Sequence, residues 1–168
     1  MWDLLSPQAK QTIKAHYYGL ISLQDQQVGR LLDFLDENGL TEDTIIVYTA
    51  DHGEMLGDLG VYFKSKLYNG AVRVPLMFAY PRRLPAGASC DMPAGLHDIL
   101  PTLLSLAGAP LAQPVDGVDL TPAMLGQPQT RACMVSQTLE SPHQQYMVAD
   151  KRYKYIYHEV NGILLRYL

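Results

Sequence analysis

Ile45-Ile46-Val47-Tyr48-Thr49-Ala50-Asp51-His52-Gly53-Glu54 is the stretch on which the reading of the chain turns. Its first five residues form an apolar, β-branched run of the kind found in buried strands. The run stops at Asp51 and His52, so a carboxylate and an imidazole stand together at the strand's carboxyl end. In open α/β sheets that end is where ligands bind. Gly53 lets the backbone turn tightly there. A loop punctuated by Gly57 and Gly60 follows and carries Lys64. Val74 to Tyr80 then reads as a second strand.

Asp51 offers hard carboxylate oxygens and His52 an imidazole nitrogen, and a divalent cation accepts both. Lys64 is a mobile point charge suited to a sulfate or phosphate oxygen. Taken alone, Asp-His-Gly after a strand is more often a capped turn than a metal site. The loop from Asp51 to Asn69 is long, and loops of that length are often functional. Within it, Glu54 and Asp58 either hydrogen-bond behind His52 or face solvent. Lys66 rivals Lys64 for an anion, and Arg73 suits a structural salt bridge.

Upstream, Ser6-Pro7 is a helix start, with Ser as the cap and Pro at the first helical position. Ile13, Tyr17, Leu20, Ile21, Val28, Leu31, Leu32 and Leu35 follow at helical spacing. They predict a helix over residues 7–38 with one stripe buried against the sheet, stopped at Gly39. Asp25 and His16 read as surface groups. Downstream, Pro81 to Gly87 is a turn segment, and Ala88 to Met92 reads as a short strand. Asp98 opens a helix over Ile99 to Ala107, with Pro101 in its first turn and Gly108 as its stop. His97 reads as structural.

Ala109 to Gln129 is a looping connection with a helical turn at Thr121 to Leu125, capped by Thr121. It suggests a division into 1–126, an α/β part, and 127–168, a small antiparallel β unit. That unit has strand-like runs at Arg131 to Leu139, Gln145 to Ala149, Tyr153 to His158 and Ile163 to Leu168. Asp150-Lys151-Arg152 and Val160-Asn161-Gly162 are its turns.

The chain has 168 residues and a formal net charge of −4. That is the size of one domain, and the charge argues against nucleic acid as a partner. The basic cluster Lys151, Arg152 and Lys154 alternates with Tyr153, Tyr155 and Tyr157, the pattern of a hairpin strand rather than a binding arm. Cys90 and Cys133 make no disulfide framework and are expected as buried free thiols. Met1-Trp2-Asp3 lacks the basic n-region of a signal peptide, and no run is long enough to span a membrane.

Beyond these local readings, the whole stretch T-A-D-H-G-E-M-L-G-D-x-G, Lys64 and then Y-x-x-x-V-R-V-P-L resembles the sulfatase family of the alkaline-phosphatase-like superfamily. Tyr17 to Leu35 resembles the helix that precedes this strand in the family. H-D-I-L-P-T-L-L-S-L-A-G (residues 97–108) is similar to the family's D-x-x-P-T-L-L-x-L-A-G helix. K-R-Y-K-Y-I-Y (residues 151–157) resembles its closing hairpin. The resemblance implies the carboxyl-terminal part of an alkaline-phosphatase-like α/β sandwich with its small antiparallel β unit.

By that resemblance Asp51 and His52 are ligands of the active-site divalent cation. Lys64 contacts the sulfate, as both a substrate-binding and a catalytic group. The family's metal is usually calcium, with Asn in the second position. Imidazole favours manganese or zinc. The family's nucleophile is a formylglycine made in a C-x-P-S-R or S-x-P-S-R motif, expected upstream and absent from this chain. Leu59 and Asn69 stand where relatives commonly carry His and Glu.

Three functions follow as expectations. The first is an arylsulfatase-like hydrolase acting on a small-molecule sulfate ester, with this chain a fragment inactive alone. The second is a phosphonate monoester or phosphodiester hydrolase of the same fold, since sulfate and phosphate share a tetrahedral shape. The third is a non-catalytic, truncated homologue. Part of such a domain also exposes apolar surface and strand edges, so a homo-oligomer formed through them is a further expectation.

Overall fold

Ser6 Oγ accepts the Ala9 N–H at 3.2 Å and Pro7 takes the first helical position, opening α1 over Pro7–Glu37 as expected. The helix closes at Asn38, whose Nδ2 donates to the Phe34 carbonyl at 2.8 Å, and at Gly39 with φ 65°. The structure is a computed structural model that describes residues 2–140, 143–160 and 163–167, and the side chains of 2–138 and 144–159.

The buried stripe expected of α1 is not there: no residue of the helix is buried, and Leu20, Leu31 and Phe34 are exposed. The reason is one of size. A helix of 31 residues runs about 47 Å at the standard rise. The sheet beside it in sequence has two strands of about 13 Å each. Those strands, β1 (Ile46–Thr49) and β2 (Leu76–Ala79), pair antiparallel with Ile46 opposite Ala79 and Thr49 opposite Leu76. Both are shorter than the apolar runs that predict them, and β1 is only half-buried.

No strand forms at residues 88–92. Pro85 and Pro93 flank that segment, and proline withholds a ladder donor. The preceding turn has a different use. Arg83 Nη1 donates to the carbonyls of Ser105 and Leu106, each at 2.9 Å. These lie in the last turn of a helix, where a cation also meets the negative end of the dipole. Between β1 and β2 a single helical turn, α2, spans Asn69–Val72. The helix with the Arg83 cap, α3, spans Ile99–Ala107 and ends at Gly108, in the left-handed region with φ 68°. A short turn, α4, spans Thr121–Met124. Its cap is not Thr121: Asp119 Oδ1 accepts the Thr121 N–H at 2.8 Å.

The four-stranded antiparallel sheet is present in sequential order: β3 (Met134–Glu140), β4 (His143–Ala149), β5 (Lys154–Val160) and β6 (Ile163–Tyr167). Asp150 holds the β4–β5 turn, its Oδ1 accepting the N–H groups of Arg152 at 2.7 Å and Tyr153 at 2.6 Å. The turn read at Val160-Asn161-Gly162 lies outside the described residues. Cys90 and Cys133 are free, but Cys90 is exposed rather than buried.

An apolar cluster and a buried ion pair are among the contacts that tie this unit to the rest. Leu67, from the loop between β1 and β2, packs with Met147 of β4 and Ile156 of β5 in a small buried cluster. Asp98, fully buried, pairs with Arg131 in a two-pronged bridge: Nη1 to Oδ2 at 2.6 Å and Nη2 to Oδ1 at 2.7 Å. The carboxylate also accepts the N–H groups of Gly95 at 2.8 Å and Val118 at 2.9 Å. Burial pushes the Asp98 carboxyl up, but Arg131 and the two amides outweigh it and hold the group below the usual carboxylate range. His97 lies beside the pair, 3.5 Å from Asp98 Oδ1, which fits its structural reading.

Candidate metal and anion site

Asp51 and His52 follow β1 directly, and local hydrogen bonds set their geometry. The exposed Asp51 carboxylate accepts the His52 N–H through Oδ1 at 2.9 Å. On the ring, Nδ1 lies 2.8 Å from the Gly53 carbonyl. A carbonyl only accepts, so Nδ1 carries the proton and Nε2 presents its lone pair on the other side. Nε2 lies 3.6 Å from Asp51 Oδ2 and 2.5 Å from Lys64 Nζ. Lys64 donates to that lone pair, so the Asp51–His52 approach is a meeting of two acceptors rather than an ion pair. The three groups singled out in the sequence thus meet at one exposed spot.

The loop between them is braced from within. Glu54 Oε1 accepts the N–H of Leu56 at 3.1 Å and of Phe63 at 2.7 Å. Glu54 therefore pins the loop onto itself and does not stand behind His52. The Met55 N–H donates to the Phe63 carbonyl at 3.0 Å, and the Met55 side chain is 2% exposed. Asp58 is exposed and Lys66 half-buried. Among the described residues neither side chain hydrogen-bonds to the trio. Arg73 is also exposed, and its charge sits near Lys154 rather than in an ion pair among the described residues.

Two supports were not read from the sequence. Trp2, buried in a single 3-10 turn, stacks on Tyr62 with centroids 5.5 Å apart. The ring lies over Gly57, whose φ is 96° and where a Cβ would fall 2.3 Å from the indole. The signal available was a lone tryptophan together with a glycine in the loop. The second support is Lys154, which reads as a member of a strand's basic cluster but reaches the loop itself, its Nζ donating to the Leu67 carbonyl at 2.9 Å.

Gly53 carries the strongest steric requirement at the site. Its N–H donates to the Ala71 carbonyl at 2.7 Å, and a Cβ there would sit 2.1 Å from the Gly70 carbonyl oxygen. That obstacle is backbone and cannot swing aside. Gly53→Ala is expected to lose about 1–3 kcal/mol or more in urea unfolding, the range for overpacked sites. It should also displace His52, seen as shifted imidazole resonances.

The donor set fits part of a divalent cation site. Asp51 and Nε2 of His52 supply oxygen and nitrogen ligands side by side, a pairing suited to manganese or zinc. Among the described residues no cluster of three or more His, Cys, Asp or Glu side chains forms. No described helix is long and apolar enough to cross a membrane.

The family model described as Sulfatase matches residues 6–109. A choline-sulfatase of Rhizobium meliloti is 34% identical over 152 residues, which are 84% of this chain and 28% of that protein. Among solved structures, a phosphonate monoester hydrolase from Silicibacter pomeroyi superposes with a TM-score of 0.84 at 28% identity, over 98% of this chain and 36% of that one. A protein solved in complex with its substrate D-glucosamine-2-N,6-O-disulfate superposes at 0.73 with 29% identity, over 85% of this chain and 31% of that one. This chain therefore spans 28% to 36% of the length of these proteins. The fold is that of the alkaline-phosphatase-like sulfatases and phosphonate hydrolases, and by the family match and its identity to known sulfatases the chain belongs to the sulfatase family.

Proposed function

We propose that this chain is the part of a metal-dependent sulfuric ester hydrolase that holds one side of the cation and grips the sulfate. The observation that carries the reading is the meeting of Asp51 Oδ2, His52 Nε2 and Lys64 Nζ at one spot. Asp51 and His52 would hold the cation, calcium or, better suited to imidazole, manganese or zinc. Such a cation supplies Lewis-acid polarisation of an ester oxygen. Lys64 lies on a long, exposed side chain and would turn its ammonium to the non-bridging oxygens of a bound sulfate, offsetting the charge that builds there. His52 keeps its lone pair aimed outward because the Gly53 carbonyl holds Nδ1. The nucleophile motif of the family, C-x-P-S-R or S-x-P-S-R, does not occur in these residues. We assign residues 1–126 to the sulfatase α/β domain and 127–168 to its small β subdomain.

The structural likeness to a phosphonate monoester hydrolase over 98% of the chain favours a second reading, an ester of phosphonate or phosphate as the substrate. A histidine as the second metal donor suits both readings. The test compares turnover of an aryl sulfate and an aryl phosphonate, with and without manganese, by a longer polypeptide carrying the nucleophile motif and by these 168 residues alone. Faster metal-dependent sulfate cleavage by the longer protein supports the first reading, and faster phosphonate cleavage the second. The 168 residues alone are expected to give no turnover. Robust metal-dependent activity from them would falsify the proposed division of labour.

A further inference from the structure

We infer that the carboxyl-terminal sheet sets the geometry of the Asp51–His52–Lys64 site, and that Gln145 and Lys154 are its positioning residues. The inference rests on the reading of those three groups as the site. Its basis is the way one residue, Leu67, is held on every side. The Leu67 side chain, 3% exposed, lies against Met147 of β4 and Ile156 of β5. Its N–H donates to Gln145 Oε1 at 3.1 Å, and Gln145 is itself 3% exposed. Its carbonyl accepts Lys154 Nζ at 2.9 Å, and the same ammonium donates to Asn69 Oδ1 at 2.7 Å. Backbone groups of a loop are ordinarily satisfied by water or by their own turn. Here both are taken by side chains from two neighbouring strands of another sheet.

The clamped segment leads to the site in both directions. Toward the amino terminus, Leu67 follows the tight turn in which the Lys66 N–H donates to the Lys64 carbonyl at 2.8 Å. A fixed Leu67 therefore fixes the root of Lys64. Toward the carboxyl terminus, Asn69 opens α2, and the Ala71 carbonyl in α2 accepts the Gly53 N–H at 2.7 Å. Gly53 in turn gives its carbonyl to His52 Nδ1 at 2.8 Å. One clamp thus governs the amine through the Lys64–Lys66 turn, and the imidazole through one backbone hydrogen bond and the ring's own bond to the Gly53 carbonyl. Lys154 touches neither, so its effect is exerted through Leu67 and Asn69. Burial and, after it, the nearby positive charge of Arg73 weigh against the Lys154 cation. The lysine is held there by its two acceptors, neither of which is a carboxylate.

The test uses the 168-residue chain and two readouts: the ring nitrogen resonances of His52 by NMR, and Mn²⁺ affinity by calorimetry. Lys154→Met and Gln145→Leu each remove one arm of the clamp. Lys154→Arg keeps a donor of different reach, and Ser6→Ala, which removes the α1 cap, is the stability control. In Lys154→Met and Gln145→Leu the His52 resonances should move, and Mn²⁺ affinity should fall about tenfold, the low end for loss of a group behind a metal ligand. Ser6→Ala should change neither, and Lys154→Arg should fall between. If Lys154→Met does not fold, Gln145→Leu and Lys154→Arg carry the comparison. His52 resonances that superimpose on the wild type in Gln145→Leu and in every folded Lys154 variant would overturn the inference. If the wild type takes up no Mn²⁺ while the resonances still move, the metal reading falls and the positioning role stands.

Discussion

Replacing Arg131 with Ala is expected to cost about 3–5 kcal/mol of folding free energy, the range for breaking a buried ion pair by removing one partner. Asp98 is fully buried, and Arg131 makes two of its four hydrogen bonds. Without the guanidinium, the carboxylate keeps only the Gly95 and Val118 amides. Burial, now opposed less, would drive its pKa upward. Loss of the pair should also loosen the attachment of β3 to α3, because Arg131 comes just before one and Asp98 just before the other. Urea unfolding at neutral pH checks the magnitude.

The pH dependence provides a sign check on the same pair. The folded pKa of Asp98 is lowered, so its contribution is fully present above the unfolded value of 3.8 and is lost as pH falls through the lower folded value. The wild type should therefore lose stability on acidification below about pH 4. In Arg131→Ala the dependence from this residue should reverse, because protonating an unpaired buried carboxylate relieves it. The gap between the two proteins should shrink as pH falls. A gap that stays constant down to pH values below 3.8 would mean that Asp98 is not the group Arg131 holds ionised.

The second large effect concerns cation binding. Asp51→Ala and His52→Ala should each weaken Mn²⁺ binding by at least about a hundredfold. Groups that merely support a ligand are worth 10–100-fold, and a direct ligand should exceed that range. Asp51 is exposed, and among the described residues its carboxylate bonds only to its neighbour His52. Asp51→Ala should therefore leave the unfolding midpoint almost unchanged, which separates loss of a ligand from loss of the fold. Lys64→Ala should spare the cation and weaken sulfate retention. The opposite pattern, with Lys64→Ala losing the metal and Asp51→Ala keeping it, would contradict the assignment of roles.

The grouping of Asp51, His52 and Lys64 was legible in the sequence because it depends on neighbours along the chain. An apolar β-branched run ending in Asp-His-Gly fixes a strand tip. Ser6-Pro7 and Gly108 mark helix ends by local chemistry that a single sequence displays. The run of tyrosines through residues 153–157 alternates as a strand must. What escaped reading depends on residues far apart. The grip of Arg131 on Asp98, of Lys154 on Leu67 and of Trp2 on Gly57 is invisible in any local period. The apolar face of α1 was readable, but periodicity does not say what covers it, and no described residue of this chain buries it. The segment at residues 88–92 had strand-forming residues but lies between prolines that deny it a ladder.

The central claim is that a carboxylate and an imidazole at the end of β1 share one cation with an anion held by Lys64. Crystals of the chain grown with Mn²⁺ and sulfate, with data collected at the manganese absorption edge, test it most directly. The account predicts an anomalous peak bonded to both the Asp51 carboxylate and His52 Nε2, with a sulfate oxygen beside Lys64 Nζ. Manganese bound elsewhere, or His52 turned so that Nε2 faces away from Asp51, would contradict it.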